Sequence, residues 1–199
     1  NHLSLSMYAA DLPPSRLMRT RMKLTDLLAR SEEGLTALVV FAGTPHVVTP
    51  LTDDTNTIQS MVSSLSPEIM PIKGSDPVAA VKRALEVFKQ GGLSVGRILL
   101  MTDSVPDYFV AALEPVITSA TPVSILGIGT AEGAPITLPD GSFVKEASGN
   151  VVVPRLDIDR LKQAARKLGG RFSTLSTSDD DLNYLLASNN PFADQQIID

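Results

Sequence analysis

Apolar and polar positions along the chain follow two rhythms, one typical of buried strands and one typical of amphipathic helices. A continuous apolar run over 35–42 and the mostly apolar segments 97–102 and 123–129 predict buried strands. Apolar residues spaced three and four apart over 15–29 and 158–168 predict helices with one apolar face. Strands that alternate with helices predict an α/β fold, in which helices cover both faces of a doubly wound, mostly parallel sheet.

Capping and turn residues add the remaining elements. Asp76 and Pro77 are favourable at the N-cap and in the first turn of a helix, and Gly91 is favourable at its end. Asp140-Gly141 lies between two alternating runs, which predicts an inserted β-hairpin that 151–153 extends. The other expected elements are an antiparallel edge strand over 46–51, a helix over 55–65, a strand over 171–175 and a helix up to 187. A further helix is expected over 106–119, at least as far as Glu114, because Pro115 interrupts it.

Composition indicates one globular domain, which we place at 1–188, followed by a polar tail at 189–199. The chain has 199 residues, of which 43% are hydrophobic and 20% charged. A net charge of −5 without clustered cations argues against nucleic-acid binding. The densest basic group is expected on the solvated side of one helix; it consists of Arg16, Arg19, Arg21 and Lys23.

Several classes of site are excluded by residue type or order. The chain has no cysteine, so it contains no disulfide, thiolate zinc site or cysteine nucleophile. Gly92-Leu93-Ser94-Val95-Gly96 spells a nucleophile elbow, but a helix precedes it and a strand follows it, the reverse of that motif. Gly127-Ile128-Gly129 is followed by a hairpin where a dinucleotide site needs a helix. Neither pattern therefore supports an active site.

Small oxygen-bearing residues come together at the carboxyl edge of the expected sheet. Ser4 and Ser6 lie near the start of the chain, Ser75 lies in the loop before a helix, and Asp103 directly follows the expected strand over 97–102. Hydroxyl and carboxylate oxygens suit a hard divalent cation such as Mg²⁺. Each residue could equally cap a turn or helix, so the residue types alone leave both interpretations open.

These residues lie within segments that resemble a von Willebrand factor A (VWA) domain, and the resemblance is closest to the bacterial aerotolerance-operon (Bat) branch. It runs in order over nearly the whole chain. The segments that carry it are Ser4-Leu5-Ser6-Met7, Asp11-Leu12-Pro13-Pro14-Ser15-Arg16-Leu17, Leu38-Val39-Val40-Phe41-Ala42-Gly43, Val48-Thr49-Pro50-Leu51-Thr52-Asp53-Asp54, Gly74-Ser75-Asp76 and Leu99-Leu100-Met101-Thr102-Asp103.

The resemblance implies a metal-ion-dependent adhesion site, which holds Mg²⁺, or else Mn²⁺ or Ca²⁺. By resemblance Ser4 and Ser6 are direct ligands, Ser75 stands in place of a threonine, and Asp103 is the acidic residue of the third loop. The family's first aspartate is replaced by His2. Because an imidazole is a poor partner for Mg²⁺, the implied site is degenerate or truncated.

The resemblance further implies a non-catalytic protein–protein interaction module of a membrane-anchored Bat-type stress protein. Implied partners are sibling Bat-type proteins and a MoxR-type AAA+ ATPase, and the implied location is the bacterial inner membrane with this domain in the periplasm. Membrane contact would come only through segments outside this chain. The alternative is a Mg²⁺-dependent phosphate-transfer or hydrolytic enzyme that uses Asp103 on the same α/β fold.

The family's central first strand is shortened in this chain. Asn1 opens in the middle of an alternating pattern, so we expect a piece excised from a longer chain and leave open whether His2 is native. An absent central strand would leave buried backbone groups of its neighbours unpaired. We therefore expect residues 1–6 to fill only the end of that strand, or another chain or segment to occupy the gap.

Overall fold

The computed structural model describes residues 1–30 and 34–187, and the expected tail over 189–199 lies outside the described residues. The helices are α1 (Arg16–Arg30), α2 (Thr55–Val62), α3 (Pro77–Gln90), α4 (Phe109–Leu113), α5 (Ile158–Lys167) and α6 (Asp180–Leu186). The strands are β1 (Thr36–Phe41), β2 (Pro45–Thr52), β3 (Ile98–Thr102), β4 (Val123–Gly127) and β5 (Gly169–Thr174). The expected α/β architecture is confirmed.

The sheet consists of two parts that meet at the first three residues. Strands β1 and β2 are antiparallel, while β3, β4 and β5 form a parallel sheet in that order. Between β1 and β3, the backbone N–H of His2 donates to Met101 (3.0 Å) and that of Leu3 donates to Phe41 (2.8 Å). The opening residues thus fill only the end of a central strand, as the sequence predicts.

A cavity of about 330 Å³ occupies the remainder of the gap between β1 and β3. It is lined by residues of both strands, including Leu38 and Leu100, and by Leu28 and Val81 of the flanking helices. The amino group of Asn1 donates to the carbonyl oxygen of Val39 (2.7 Å) beside this cavity.

Two apolar layers cover the two faces of the sheet. One contains Leu24 of α1 and Ile58 of α2, and the other contains Val81 of α3 and Leu161 of α5. Alternate residues of a strand enter opposite layers because successive side chains point to opposite faces. In β3 for example, Met101 belongs to the first layer and its neighbour Leu100 to the second.

Helix α3 confirms the predicted start, since the Asp76 carboxylate accepts a hydrogen bond from the Ala79 N–H (2.9 Å). Helix α4 ends ahead of Pro115, as the sequence predicts, but it begins at Phe109, three residues after the expected start at Pro106. The predicted hairpin is present as isolated bridges between Thr137 and Phe143 and between Lys145 and Val151.

The expected solvated basic side of α1 is wrong at two positions. Arg16 is fully buried, and Lys23 is only 4% exposed. Both belong to the buried face of the helix because residues four and seven positions apart lie on one side. The Lys23 ammonium lies 2.9 Å from Oδ1 of Asp181, which ties α1 to α6.

Candidate functional site

Ser4 and Ser6 lie in the turn that follows the shortened central strand. Their hydroxyl oxygens are 2.8 Å apart, and the Ser6 N–H donates to Oγ of Ser4 (3.3 Å). Ser4 is the N-cap of a 3₁₀ turn over Leu5–Tyr8, which sets this geometry. The turn therefore presents both hydroxyls at one edge of the sheet, where the sequence places them.

Asp103 follows β3 directly and is brought to the same place. Its side chain is buried, with Oδ1 at 2.9 Å from Nδ1 of His2 and Oδ2 at 3.1 Å from Nη1 of Arg16. The Ser104 hydroxyl also donates to Oδ1 (3.3 Å). Both carboxylate oxygens of Asp103 are thus in contact with nitrogen groups of the protein.

Arg16, the first residue of α1, connects three parts of the site. Its guanidinium donates twice to Asp11 (2.7 Å each), once to the carbonyl of Pro154 (2.7 Å) and once to Asp103 (3.1 Å). Gly129 makes room for it, because a Cβ at that position would lie 2.7 Å from Cζ of Arg16. We call His2, Asp11, Arg16 and Asp103 the Arg16 cluster.

Asp11 holds the other side of the guanidinium. Its Oδ2 also accepts hydrogen bonds from the backbone N–H (2.8 Å) and the hydroxyl (3.1 Å) of Thr130, which follows β4. Burial raises the pKa of Asp11, but the contacts with Arg16 and Thr130 outweigh burial and hold it below its ordinary value. Asp11 is therefore ionised in the folded protein at neutral pH.

His2 fills the position that the resemblance assigns to a first aspartate. Its ring stacks on Phe41 with centroids 5.0 Å apart, and its side chain is almost completely buried. Its Nδ1 lies 2.9 Å from Oδ1 of Asp103, and within residues 1–30 and 34–187 its Nε2 has no hydrogen-bond partner. His2 is thus held by packing on Phe41 and by its contact with Asp103.

The electrostatics of Asp103 follow from these neighbours. Burial raises its pKa, but the contacts with His2, Ser6 and Arg16 outweigh burial and lower the pKa to about 2. Asp103 is therefore a carboxylate at neutral pH. Its charge is already compensated inside the protein.

Ser75 lies at the same edge of the sheet, in the loop ahead of α3. Its loop is held to the end of β1 by the hydrogen bond from the Asp76 N–H to the Ala42 carbonyl (2.7 Å). Ser75 itself is exposed. Within 1–30 and 34–187, its hydroxyl makes no hydrogen bond to Ser4, Ser6 or Asp103. The structure thus brings together three of the four predicted ligands.

A divalent cation does not fit these residues as they stand. Two hydroxyls and one carboxylate converge, and both carboxylate oxygens are already engaged by His2 and Arg16. At an illustrative separation of about 5 Å and an effective dielectric constant of about 20, Arg16 would repel a dication by about 7 kcal/mol. Among residues 1–30 and 34–187, no group of three or more His, Asp or Glu side chains is arranged to hold a metal.

Sequence reasoning missed Asp11, Arg16 and Thr130. Helical spacing could have indicated the burial of Arg16, because this residue lies four positions before Thr20 on the buried face of α1. Nothing in the spacing indicated that Thr130 would contact Asp11, since these two residues are 119 positions apart in sequence.

Comparison with known proteins assigns the fold. The profile of the von Willebrand factor type A domain matches residues 3–105. The chain belongs to that family. The match includes Ser4, Ser6, Ser75 and Asp103, which all lie at the carboxyl edge of this VWA domain.

Two solved structures resemble this VWA domain over most of its length. One is an aerotolerance-related membrane protein from Bacteroides fragilis, with a TM-score of 0.85, 28% identity and 93% of each chain covered. The other is BatB from Bacteroides thetaiotaomicron, with a TM-score of 0.81, 27% identity, and 90% of this chain and 89% of that chain covered. The resemblance to Bat proteins is thus confirmed.

A UPF0353 protein from Nocardia farcinica is 27% identical over 195 residues, which cover 89% of this chain. The VWA domain spans 57% of the length of that relative. The Bacteroides fragilis protein is named as a membrane protein. In the part of the chain that the structure describes, no helix is both long and apolar enough to cross a membrane.

Proposed function

We propose that this VWA domain is a non-catalytic protein–protein interaction module of a Bat-type membrane protein. The observation that carries the proposal is the likeness to the Bacteroides fragilis aerotolerance-related membrane protein, which covers 93% of both chains. VWA domains commonly act as interaction modules. A role in protein assembly therefore fits the family better than a role in chemistry.

We further propose that the adhesion site is degenerate. The metal ligands Ser4, Ser6, Ser75 and Asp103 remain a prediction for a chain with a carboxylate at position 2. With His2 in that place, only one carboxylate converges with the two hydroxyls, and its oxygens are occupied. Partner binding by this chain is then independent of Mg²⁺, Mn²⁺ and Ca²⁺.

The proposed partners are a sibling Bat-type protein and a MoxR-type AAA+ ATPase. The test is co-purification of each tagged partner with the complete gene product from detergent-solubilised membranes. Capture is expected for at least one partner, with equal yield in EDTA and in Mg²⁺. Capture of neither partner would contradict the proposal.

The inserted hairpin provides a surface variant for this test. Phe143 is 51% exposed on the hairpin, and Ile72 is similarly exposed (54%) on a different loop. If the hairpin contacts the partner, Phe143→Ser reduces capture by about fivefold or more, the effect of losing an apolar anchor. Ile72→Ser is the matched control, and equal capture by both variants would show that the hairpin is not the contact surface.

We propose that the domain lies on the periplasmic side of the bacterial inner membrane. This chain has no cysteine, so Ser148→Cys introduces a single exposed thiol into it. In intact cells that express the complete gene product, a membrane-impermeant maleimide is expected to label this variant as well as it does after lysis. Labelling only after lysis would place the domain in the cytoplasm.

The Mg²⁺-dependent enzyme that uses Asp103 remains the alternative to be tested. Asp103 is buried, and its two carboxylate oxygens contact His2 and Arg16. This arrangement does not favour attack of the carboxylate on a phosphate group or its coordination of a metal-bound phosphate. We expect no turnover of nucleotides or phosphoesters by the purified protein in Mg²⁺. Turnover that is abolished by Asp103→Ala would replace the interaction module with an enzyme.

A further inference from the structure

Arg16 stands out because a permanently charged side chain is completely buried beside the adhesion-site aspartate. Its guanidinium makes four hydrogen bonds out of the five N–H groups that arginine has. Two carboxylates, Asp11 and Asp103, accept three of these bonds. Such planar, charge-assisted contacts fix a guanidinium firmly in place.

The surrounding backbone is shaped for this group. Gly129 has a φ of +135° and lies so close to Arg16 that a Cβ would be 2.7 Å from Cζ and 2.8 Å from Nη2. A side chain at position 129 would therefore displace the guanidinium. The Pro154 carbonyl supplies a further acceptor at 2.7 Å.

The contacts join parts of the chain that are far apart in sequence. Asp11 lies in the first loop, Asp103 follows β3, and Pro154 lies ahead of α5. A bound cation commonly performs this task in a loop site, because it draws several oxygen ligands to one point. In this domain the Arg16 guanidinium instead binds the oxygens of Asp11, Asp103 and Pro154.

We propose that Arg16 is a built-in cation that replaces a divalent metal ion in this VWA domain, with the His2 imidazole covering the second oxygen of Asp103. The loops of the adhesion site are then held in one arrangement whether or not a metal ion is present. This proposal is independent of the proposed interaction function. Metal binding by the wild-type domain would contradict the role of Arg16 and would leave the interaction function unaffected.

A metal-rescue experiment tests the proposal. Arg16→Met removes the guanidinium and leaves Asp11 and Asp103 without their shared counter-ion, so the variant is expected to be less stable than the wild type. Mn²⁺ at 1 mM should raise its melting temperature by about 5 °C or more, the effect of a ligand present at about 100 times its Kd. The wild type should shift by less than about 1 °C under the same conditions.

Two control variants separate rescue at this site from general metal effects. Arg19→Met removes an arginine one turn further along α1, whose Nε donates to the Pro13 carbonyl outside the cluster, and it should not respond to Mn²⁺. Arg16→Met combined with Asp103→Asn keeps the cavity but removes the ligand, and it should lose the rescue. A rescue that survives Asp103→Asn would overturn the proposal.

His2→Asp provides a second measurement in case Arg16→Met does not fold. This variant keeps Arg16 and adds a carboxylate in place of the imidazole, so Mn²⁺ binding measured by calorimetry should appear that is absent from the wild type. Binding to the wild type that is lost in Asp103→Asn would overturn the proposal. A lack of Mn²⁺ response in both His2→Asp and Arg16→Met would overturn it equally.

Discussion

Replacing Lys23 by methionine should destabilise the protein far more than replacing Arg30, although both residues pair α1 with the start of α6. The Lys23 ammonium lies 2.9 Å from Oδ1 of Asp181 and donates to the Ser178 carbonyl (2.7 Å). The two paired side chains are 5% and 1% exposed. Methionine keeps the apolar stem of lysine but leaves the Asp181 carboxylate buried without its cation.

The expected cost follows from what remains around Asp181. Breaking a buried ion pair by removal of one partner costs about 3–5 kcal/mol. Asp181 keeps two backbone donors, the N–H groups of Ser176 (2.9 Å) and Leu182 (2.7 Å), so we expect the lower end, about 3 kcal/mol. In a domain of this size that lowers the melting temperature by about 6–12 °C.

Arg30 provides the matched control, because its ion pair with Asp179 joins the same two parts of the fold at the surface. The paired side chains are 34% and 52% exposed, so Arg30→Met should cost less than about 1 kcal/mol. Urea unfolding followed by circular dichroism at 222 nm measures both variants. Equal losses for Lys23→Met and Arg30→Met would refute the reasoning that burial decides the value of the pair.

Three further perturbations test other parts of the structure. Gly129→Ala forces a Cβ against Arg16 at a φ of +135°, and we expect a loss of at least about 2 kcal/mol in urea unfolding, whereas Gly141→Ala has no atom within 4 Å and should lose less. The folded-state pKa of Asp11 is lowered, so its contribution to the free energy of unfolding is present above pH 3.8 and is lost as the pH falls through the folded value. Asp11→Asn should therefore flatten the decline in urea midpoint between pH 5 and pH 3, and an unchanged slope would contradict this. Four apolar residues added ahead of Asn1 should extend the central strand into the cavity and raise the melting temperature, because new backbone hydrogen bonds with β1 and β3 add to the burial of aliphatic side chains and together offset the cost of ordering four residues. A Gly/Ser extension of equal length should leave the melting temperature unchanged. Differential scanning fluorimetry compares the two extended proteins.

Local sequence signals predicted most of the fold. The Asp76 cap and the apolar segments of β1, β3 and β4 were recognisable because they depend on neighbouring residues, whereas the shortened central strand was recognisable only through the resemblance to a VWA domain. The end of α4 ahead of Pro115 was predicted, but its start was placed too early because Pro106 is also favourable in the first turn of a helix. The hairpin was recognisable from its turn residues, but not that its pairing consists of isolated bridges.

The candidate site was only partly predictable. Ser4, Ser6 and Asp103 could be placed together because the carboxyl ends of the strands meet at one edge of a parallel sheet. The burial of Arg16 depends on Asp11 and Asp103, which are brought to it only by the completed fold. The prediction of one solvated basic group was wrong because helical spacing separates the buried Arg16 and Lys23 from the half-buried Arg19 and Arg21.

The division of the sheet has a consequence for how the folded domain opens. Strands β1 and β2 are connected to the parallel strands mainly through residues 1–3, and the edges of β1 and β3 face the cavity along the rest of their length. Cooperative units in native proteins follow such boundaries, because few hydrogen bonds have to break between them. We expect amide hydrogens of the β1–β2 ribbon to exchange with deuterium earlier than those of β4, which is paired on both sides.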